Sequence, residues 1–317
     1  MNWTALRRTQ AILTVGALAV LPVLEHPLRA GQGWAWLIVF GVSWWVLRRQ
    51  ENDEVATVPG AQHVALIDLL IVLVGWELAW RAADAQLSTS WKLAAIGASL
   101  AAGIAVVRSG IRRDRWPFAS HMTAFAAGNL LPGLVLAGIW TFFANVLADG
   151  HVAPWPYVPI LNPFDLAQLA LFIVAYRVID LASEDPATRK PFFIVLAALA
   201  FWWVNAVILR SVHQWADVPY QLPALLASVV AQTSLSLLWT TTALVMMRTA
   251  VKRAHRGWWM CGAALLALVV AKLAFNDLAQ SGTVARIVSF IGVGVLLLVI
   301  GYVAPVPPSR GQDSANN

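Results

Sequence analysis

The sequence predicts an all-α membrane protein, a polytopic bundle of about ten transmembrane helices. Of the 317 residues, 59% are hydrophobic and only 12% are charged, whereas a soluble domain carries roughly 25% charged residues. The apolar residues also come in runs of about twenty, and a helix of that length spans a hydrocarbon core of roughly 30 Å. We expect a single transmembrane domain over residues 1–308 and a disordered tail over residues 309–317.

The composition also excludes several kinds of site. Cys261 is the single cysteine, which excludes an internal disulfide and a metal site built on several thiolates. The formal net charge is +6, but the basic residues lie in short loops between apolar runs, where they set the orientation of a membrane protein. We therefore expect no nucleic-acid partner, no metal and no cofactor, and a lipid bilayer as the surroundings.

Ten apolar runs are candidate spans, and short polar segments separate them. For the first run a signal peptide is the alternative, but Glu25, His26 and Pro27 follow it instead of a small-residue cleavage site, so a retained helix is preferred. The ten runs cover residues 9–24, 33–47, 61–80, 91–107, 123–147, 163–182, 191–210, 221–247, 257–275 and 284–303.

Local patterns within these runs predict how the helices pack. Ala94, Ala98 and Ala102 recur every four residues, which predicts a close helix-packing face. Pro132 and Gly133 lie inside the fifth run and predict a kink there.

Two polar patterns stand out in the second half of the chain. A loop over residues 148–162 is rich in proline and aromatic residues and ends in Asn162-Pro163-Phe164-Asp165. This sequence predicts a helix start, with Asn162 as the N-cap and Asp165 near the positive end of the helix dipole. The eighth run has polar residues at every fourth position, which predicts a polar stripe that faces the bundle. The stripe consists of Ser228, Gln232, Ser236 and Thr240.

The distribution of basic residues predicts the orientation. With ten spans, most of the 22 lysine and arginine residues fall at one set of helix ends, which the positive-inside rule assigns to the cytoplasm. Both termini are therefore expected on the cytoplasmic side of a bacterial inner membrane. The opposite, outer side has the remaining basic residues, Arg29, Arg81, Lys92, Arg210, Lys272 and Arg286.

These outer residues give a candidate binding site for an anion. A group of cations beside a helix N-terminus suits a phosphate or an anionic headgroup, because charge and free N–H groups act together. The alternative is that each of them is a snorkelling charge that holds the bundle at its depth. The candidate ligand-binding residues are Arg210, His213, Lys272, Asp277, Arg286, Asp165 and Asn162. No catalytic residue is assigned, although His213 or Asp277 is the candidate base if the protein is an enzyme.

Other charged residues in the spans have simpler interpretations. Glu77 and Arg81 are spaced as an ordinary helix ion pair. For Asp68 and for Arg177 with Asp180 an internal ion pair is preferred, and a proton relay is the alternative.

The second half of the chain resembles a known family. The segments PYVPILNPFDLAQ and SLSLLWTTTALVMM carry this resemblance together with a pattern near the carboxy terminus, Lys272, Asp277, Arg286, Ser289, Phe290, Gly292, Gly301 and Tyr302. Over residues 156–308 the chain is similar to a bacterial family of predicted membrane proteins, the domain of unknown function twenty-three thirty-nine. The resemblance implies a many-helix inner-membrane protein and attaches no activity or ligand to it. Because such proteins are usually longer, it also predicts a shortened version or a fragment.

Three functions remain open at this point. The first is transport or translocation of an anionic cell-envelope component through an outward-facing polar cavity. The second is an enzyme that acts on a lipid-linked or glycan substrate at the outer leaflet, with the loop around Trp155 as a lid. The third is a non-catalytic membrane scaffold subunit.

Overall fold

The computed structural model describes residues 26–28, 32–50, 57–182 and 185–272, together with Gly16 and Gly294. The regular secondary structure of these residues is helical, with no β-strand among them, which confirms the predicted all-α class. The chain forms two compact units, Met1–Asp217 and Val218–Asn317. The single domain over residues 1–308 stays a prediction, and the tail over residues 309–317 lies outside the described residues.

The first unit is a helical bundle. Its helices in the described part of the chain are α1 (Gln32–Gln50), α2 (Thr57–Asp84), α3 (Thr89–Arg112), α4 (Met122–Leu147), α5 (Pro163–Ala182) and α6 (Pro186–Ala216). The central helix is α3, which packs against α2, α4 and α5, while α6 packs against α4 and α5. Buried side chains of α2 to α5 form a continuous core that includes Val64, Ile104, Phe125 and Val178.

The second unit is described as a short helix followed by a helical hairpin. The short helix is α7 (Leu222–Ala227), and the hairpin consists of α8 (Val229–Lys252) and α9 (Arg256–Lys272). Ala243, Met247 and Leu266 form the apolar core of the hairpin. The predicted span over residues 221–247 is therefore interrupted, because Ser228 ends α7 and caps α8 by accepting a hydrogen bond of 3.3 Å from the N–H of Ala231.

Five helices in the described residues are long and apolar enough to cross a membrane. They are Gly60–Asp84, Thr89–Arg112, Met122–Leu147, Pro186–Ala216 and Val229–Lys252. The second, sixth and ninth predicted spans form the helices α1, α5 and α9, which are not among these five. The first and tenth predicted spans lie outside the described residues. The structure thus supports a membrane protein with several apolar helices, whereas the predicted number of ten spans is not confirmed.

The predicted packing face of α3 is wrong in part. Ala94 is buried, but Ala98 and Ala102 are exposed. The buried face instead continues from Ala94 through Gly97 to Ala101, so the buried positions are separated by three and then by four residues. The reason is that a helix has 3.6 residues per turn, so a strict four-residue repeat drifts around the helix by about 40° at each step.

The predicted kink in α4 stays a prediction, but the helix contains a π turn, Ala126–Leu130. It immediately precedes Leu131 and Pro132, and Pro132 has no N–H to donate to the preceding turn. The start of α6 is five residues earlier than predicted, at Pro186 instead of Pro191. Asp185 causes this earlier start, because its carboxylate caps the helix.

Candidate functional site

The predicted start of α5 is confirmed in position and in chemistry. The helix begins at Pro163, and the side chain Oδ1 of Asn162 accepts a hydrogen bond of 2.9 Å from the N–H of Asp165. The Nδ2 of Asn162 donates to Oδ2 of Asp165 at 2.5 Å and to the carbonyl of Val158 at 3.1 Å. Asn162 therefore caps the helix and joins the preceding loop to it.

Asp165 forms a buried ion pair with Arg210 of α6. Nη2 of Arg210 donates to Oδ1 of Asp165 at 2.6 Å, and both side chains are 0% exposed. The same oxygen accepts a hydrogen bond of 2.9 Å from the indole of Trp203, and Oδ2 accepts one of 3.3 Å from the N–H of Ile160. With Asn162 as the fourth donor, the acceptor capacity of the carboxylate is used within the protein.

Two amide side chains extend this ion pair into the bundle. Nη1 of Arg210 donates to Oδ1 of Asn145 on α4 at 2.7 Å. Nδ2 of Asn145 donates to Oε1 of Gln168 at 2.6 Å, and Nε2 of Gln168 donates back at 3.3 Å. Together with Asn162, Asp165 and Trp203, these residues form what we call the buried polar cluster. Its members are Asn145, Asn162, Asp165, Gln168, Trp203 and Arg210.

Asn145, Gln168 and Trp203 were not predicted from the sequence as members of the cluster. The signal for the two amides was present, because each lies in an apolar run, where a polar side chain needs a partner from another helix. For Trp203 there was no local signal, since its indole meets Asp165 only when α5 and α6 pack.

The cluster holds the proline-aromatic loop against α6. Gly150 has a φ of +85°, and a Cβ at this position would lie 2.9 Å from Cε2 of Tyr157 and 3.0 Å from Cδ of Arg210. A glycine is required here because of this close approach and because other residues avoid positive φ. The hydroxyl of Tyr157 donates to the carbonyl of Val207 at 3.4 Å. Burial raises the pKa of Tyr157 above its ordinary value, and the positive charge of Arg210 opposes this effect.

The same loop is also fixed to the start of α3. The hydroxyl of Ser88 donates to the carbonyl of His151, and the indole of Trp91 donates to the carbonyl of Ala153 at 3.0 Å. The rings of Trp91 and Trp155 lie 5.3 Å apart in an edge-to-face arrangement. The loop therefore connects α3, α5 and α6, and this anchoring does not favour a mobile lid.

Lys272, in the second unit, has a different environment from Arg210. Its ammonium donates to the carbonyl of Gln232 at 2.9 Å and to the hydroxyl of Ser236 at 2.8 Å. It also lies 6.0 Å from the ring centroid of Trp239. Gln232 and Ser236 belong to the predicted polar stripe, and this part of the stripe does face a neighbouring helix.

The other predicted site residues are only partly placed by the structure. His213 lies in the last turn of α6 and is half-buried, and Asp277 and Arg286 lie outside the described residues. The structure brings Arg210, Asp165 and Asn162 together. Whether Arg210, Lys272 and Arg286 share one pocket stays a prediction.

Of the two helix ion pairs predicted elsewhere in the first unit, one is present and the other has a different partner. Arg81 and Glu77 form the predicted ion pair at 2.7 Å. Asp180, however, pairs with Arg189 at 2.7 Å, not with Arg177 as predicted. The reason is that the connection between α5 and α6 is short and brings Arg189 back towards the end of α5.

Within the described residues, Asp68 pairs with an amide and not, as expected, with a cation. Its Oδ1 accepts a hydrogen bond from Nδ2 of Asn129, a neutral side chain in the π turn of α4.

The described part of the chain has an apolar cavity near the buried polar cluster. This cavity of about 510 Å³ lies between α4, α5 and α6, and apolar side chains such as Leu134, Ile139 and Phe172 line it. In the described part of the chain, no group of three histidine, cysteine or acidic side chains is placed to hold a metal ion.

Comparison with known proteins finds a family match. The model of a family described as "Predicted membrane protein (DUF2339)" matches residues 1–307. The resemblance inferred for residues 156–308 was therefore too narrow, since the match covers nearly the whole chain. No curated protein and no solved structure matches the chain.

Proposed function

Because the chain belongs to the DUF2339 family of membrane proteins, we propose that it is a multi-pass protein of the bacterial inner membrane that binds an anionic cell-envelope component and moves it across the bilayer. The orientation with both termini in the cytoplasm is part of this proposal. The supporting observation is the environment of Lys272, a cation held on a polar stripe between two apolar helices.

The position of Lys272 in the hairpin supports a binding function. A charged residue in an apolar helix costs roughly 2.5 to 3.5 kcal/mol at the centre of the membrane, and such residues commonly mark the path of a substrate or an ion. Lys272 ends α9 beside Ser236, and Ser236 lies 16 residues before Lys252 on α8. At 1.5 Å per residue this places Lys272 roughly 24 Å from the basic end of the hairpin. In the proposed orientation, with the basic end of the hairpin in the cytoplasm, Lys272 is on the outer side.

In this proposal the buried polar cluster positions a loop and does not bind the anion. Arg210 is completely buried and its charge is balanced by Asp165, so it holds the loop that follows α4 in place. The residues proposed to meet the anion are Lys272 and, beyond the described residues, Arg286 with Asp277 orienting it. His213, in the last turn of α6, stays a candidate ligand-binding residue of the first unit.

The test uses purified protein in vesicles of phosphatidylcholine that contain a trace of fluorescent phosphatidylglycerol or fluorescent polyprenyl phosphate. A quencher outside the vesicles reports movement of the probe between leaflets. We expect the protein to move at least one probe, and Lys272→Gln to slow this movement about tenfold or more, because a hydrogen bond to a charged group contributes about 1.5–3 kcal/mol. Lys272→Arg should retain most of the movement.

The control is Lys252→Gln, which removes an exposed charge at the other end of α8. If Lys272→Gln moves the probe as fast as the unchanged protein, Lys272 is not the binding cation. If neither probe moves and mass spectrometry finds a chemically altered probe, the protein is an enzyme. If neither movement nor alteration occurs, and a deletion strain has an unchanged lipid and cell-wall composition, the scaffold function replaces the proposal.

A further inference from the structure

Asp68 is an acidic residue inside an apolar span. It lies eight residues after Gly60, the start of the span Gly60–Asp84, which is about 12 Å along the helix. Its side chain is partly buried, and it accepts its hydrogen bond from a neutral amide instead of a cation. An acidic residue at such a position usually has a function, because the bilayer disfavours its charge.

The hydrogen-bond partner of Asp68 is the amide group of Asn129, which among the described residues uses its nitrogen but not its oxygen. Asn129 is 3% exposed, and its Nδ2 donates to Oδ1 of Asp68. The Oδ1 of Asn129 has no hydrogen-bond partner in the described part of the chain. A buried acceptor without a donor costs about 1–3 kcal/mol, so an unpaired oxygen at this place needs an explanation.

The backbone around Asn129 holds the amide against α2. Asn129 lies in the π turn of α4, and π turns occur frequently at functional sites. A Cβ on the neighbouring Gly128 would lie only 2.9 Å from Cγ1 of Val64, one turn before Asp68. The absence of a side chain at Gly128 therefore lets the π turn approach Asp68.

We propose that Asp68 and Asn129 form a proton-binding site. A protonated carboxyl group and a primary amide can form two complementary hydrogen bonds, with the amide N–H donating to one carboxyl oxygen and the carboxyl O–H donating to the amide oxygen. The structure contains the first of these bonds, and the amide oxygen that the second requires is unpaired. A proton taken from water by Oδ2 of Asp68 supplies that donor and removes the negative charge from the bilayer.

The binding of a proton explains the site better than the binding of a metal cation. A proton on the carboxyl group of Asp68 needs one hydrogen-bond acceptor, which Oδ1 of Asn129 provides. A metal cation needs several oxygen ligands, and the amide N–H that already faces Asp68 would have to leave.

Other titratable or charged groups lie on the helices around Asp68. His63 precedes it on α2, His121 lies at the start of α4, Arg48 is on α1 and Arg108 is on α3. The rings of His63 and His121 lie 5.2 Å apart, and Arg108 donates to a main-chain carbonyl of α5 at 2.8 Å. In the described residues the hydrogen bond to Asp68 comes from Asn129 alone, so the proton is assigned to that pair.

This inference rests on the proposed function in one respect, since it makes the proton the ion that is coupled to transport. The test does not depend on transport. Infrared difference spectra of the purified protein, recorded between about pH 8 and about pH 6 so that ordinary carboxylates with a pKa near about 4 stay ionised, should contain the C=O band of a carboxylic acid that forms on acidification. Asp68→Asn should abolish this band, and it should still fold because two amides pair in the same way as an acid and an amide.

Two further variants make the test specific. Asp217→Asn removes an exposed aspartate and should leave the band unchanged, whereas Asn129→Ala should shift its frequency because the acceptor of the O–H is lost. A band that persists in Asp68→Asn overturns the proposal. Sodium ions that suppress the band in the unchanged protein at constant pH overturn it in favour of a metal cation. If the band behaves as expected while neither lipid probe moves, the proton site stands and the proposed transport fails.

Discussion

The ion pair of Asp165 and Arg210 gives a quantitative prediction for stability. Asp165→Asn keeps the size of the side chain but removes the charge that balances Arg210, which is completely buried. Removing one partner of a buried ion pair costs about 3–5 kcal/mol, because the remaining charge is left uncompensated. The NH2 group of the new asparagine also faces at least one of the groups that donate a hydrogen bond to Asp165. We therefore expect the free energy of unfolding to fall by about 3–5 kcal/mol.

Reversible unfolding by sodium dodecyl sulfate in mixed micelles, followed by circular dichroism, measures this free energy. Arg210→Met should also destabilise the protein, but the double variant should lose clearly less than the sum of the two, because it leaves no charge unpaired. Asp217→Asn, an exposed aspartate, is the control and should change the free energy little. A loss of less than about 1 kcal/mol for Asp165→Asn, or single losses that add within about 0.5 kcal/mol, would refute the reasoning.

Two other predictions concern Gly150 and Asp185. Gly150→Ala should lower the free energy of unfolding by about 1–2 kcal/mol or more, because of its positive φ and its contact with Tyr157. In thermal unfolding Gly257→Ala is the control, since its Cβ would meet nothing within 4 Å. The pKa of Asp185 is lowered mainly by a hydrogen bond from the hydroxyl of Thr188, so its carboxylate stabilises the folded state fully above the ordinary pKa of 3.8 and loses this effect as the pH falls through the lowered value. The difference in melting temperature between the unchanged protein and Asp185→Asn should therefore shrink in acid, and a difference that stays constant from about pH 7 to about pH 3 would contradict this.

Features that depend on neighbouring residues could be predicted from the sequence. The start of α5 was predicted correctly because an N-cap and the third residue of a helix are close in the chain, and their hydrogen bond follows from helix geometry. The pair of Glu77 and Arg81 was predicted for the same reason, since side chains four residues apart share one face of a helix. In both cases the interaction needs only one element of secondary structure.

Features that depend on tertiary packing could not be predicted in this way. Asp165 and Arg210 are 45 residues apart, and their pairing is decided by how α5 and α6 pack, not by either helix alone. From the sequence alone, Arg210 is therefore interpreted as a cation that binds a ligand. The break before α8 was missed because Ser228 was counted as a member of the polar stripe, although a serine is also a good N-cap.

The ion pair also has a consequence for the order in which the protein is made. A ribosome synthesises α5 before α6, so the carboxylate of Asp165 is already present when the segment that carries Arg210 enters the bilayer. An arginine in such a segment opposes its insertion, and a waiting counter-charge relieves that opposition. We therefore expect α6 to be retained in the membrane less efficiently when the nascent chain lacks α5.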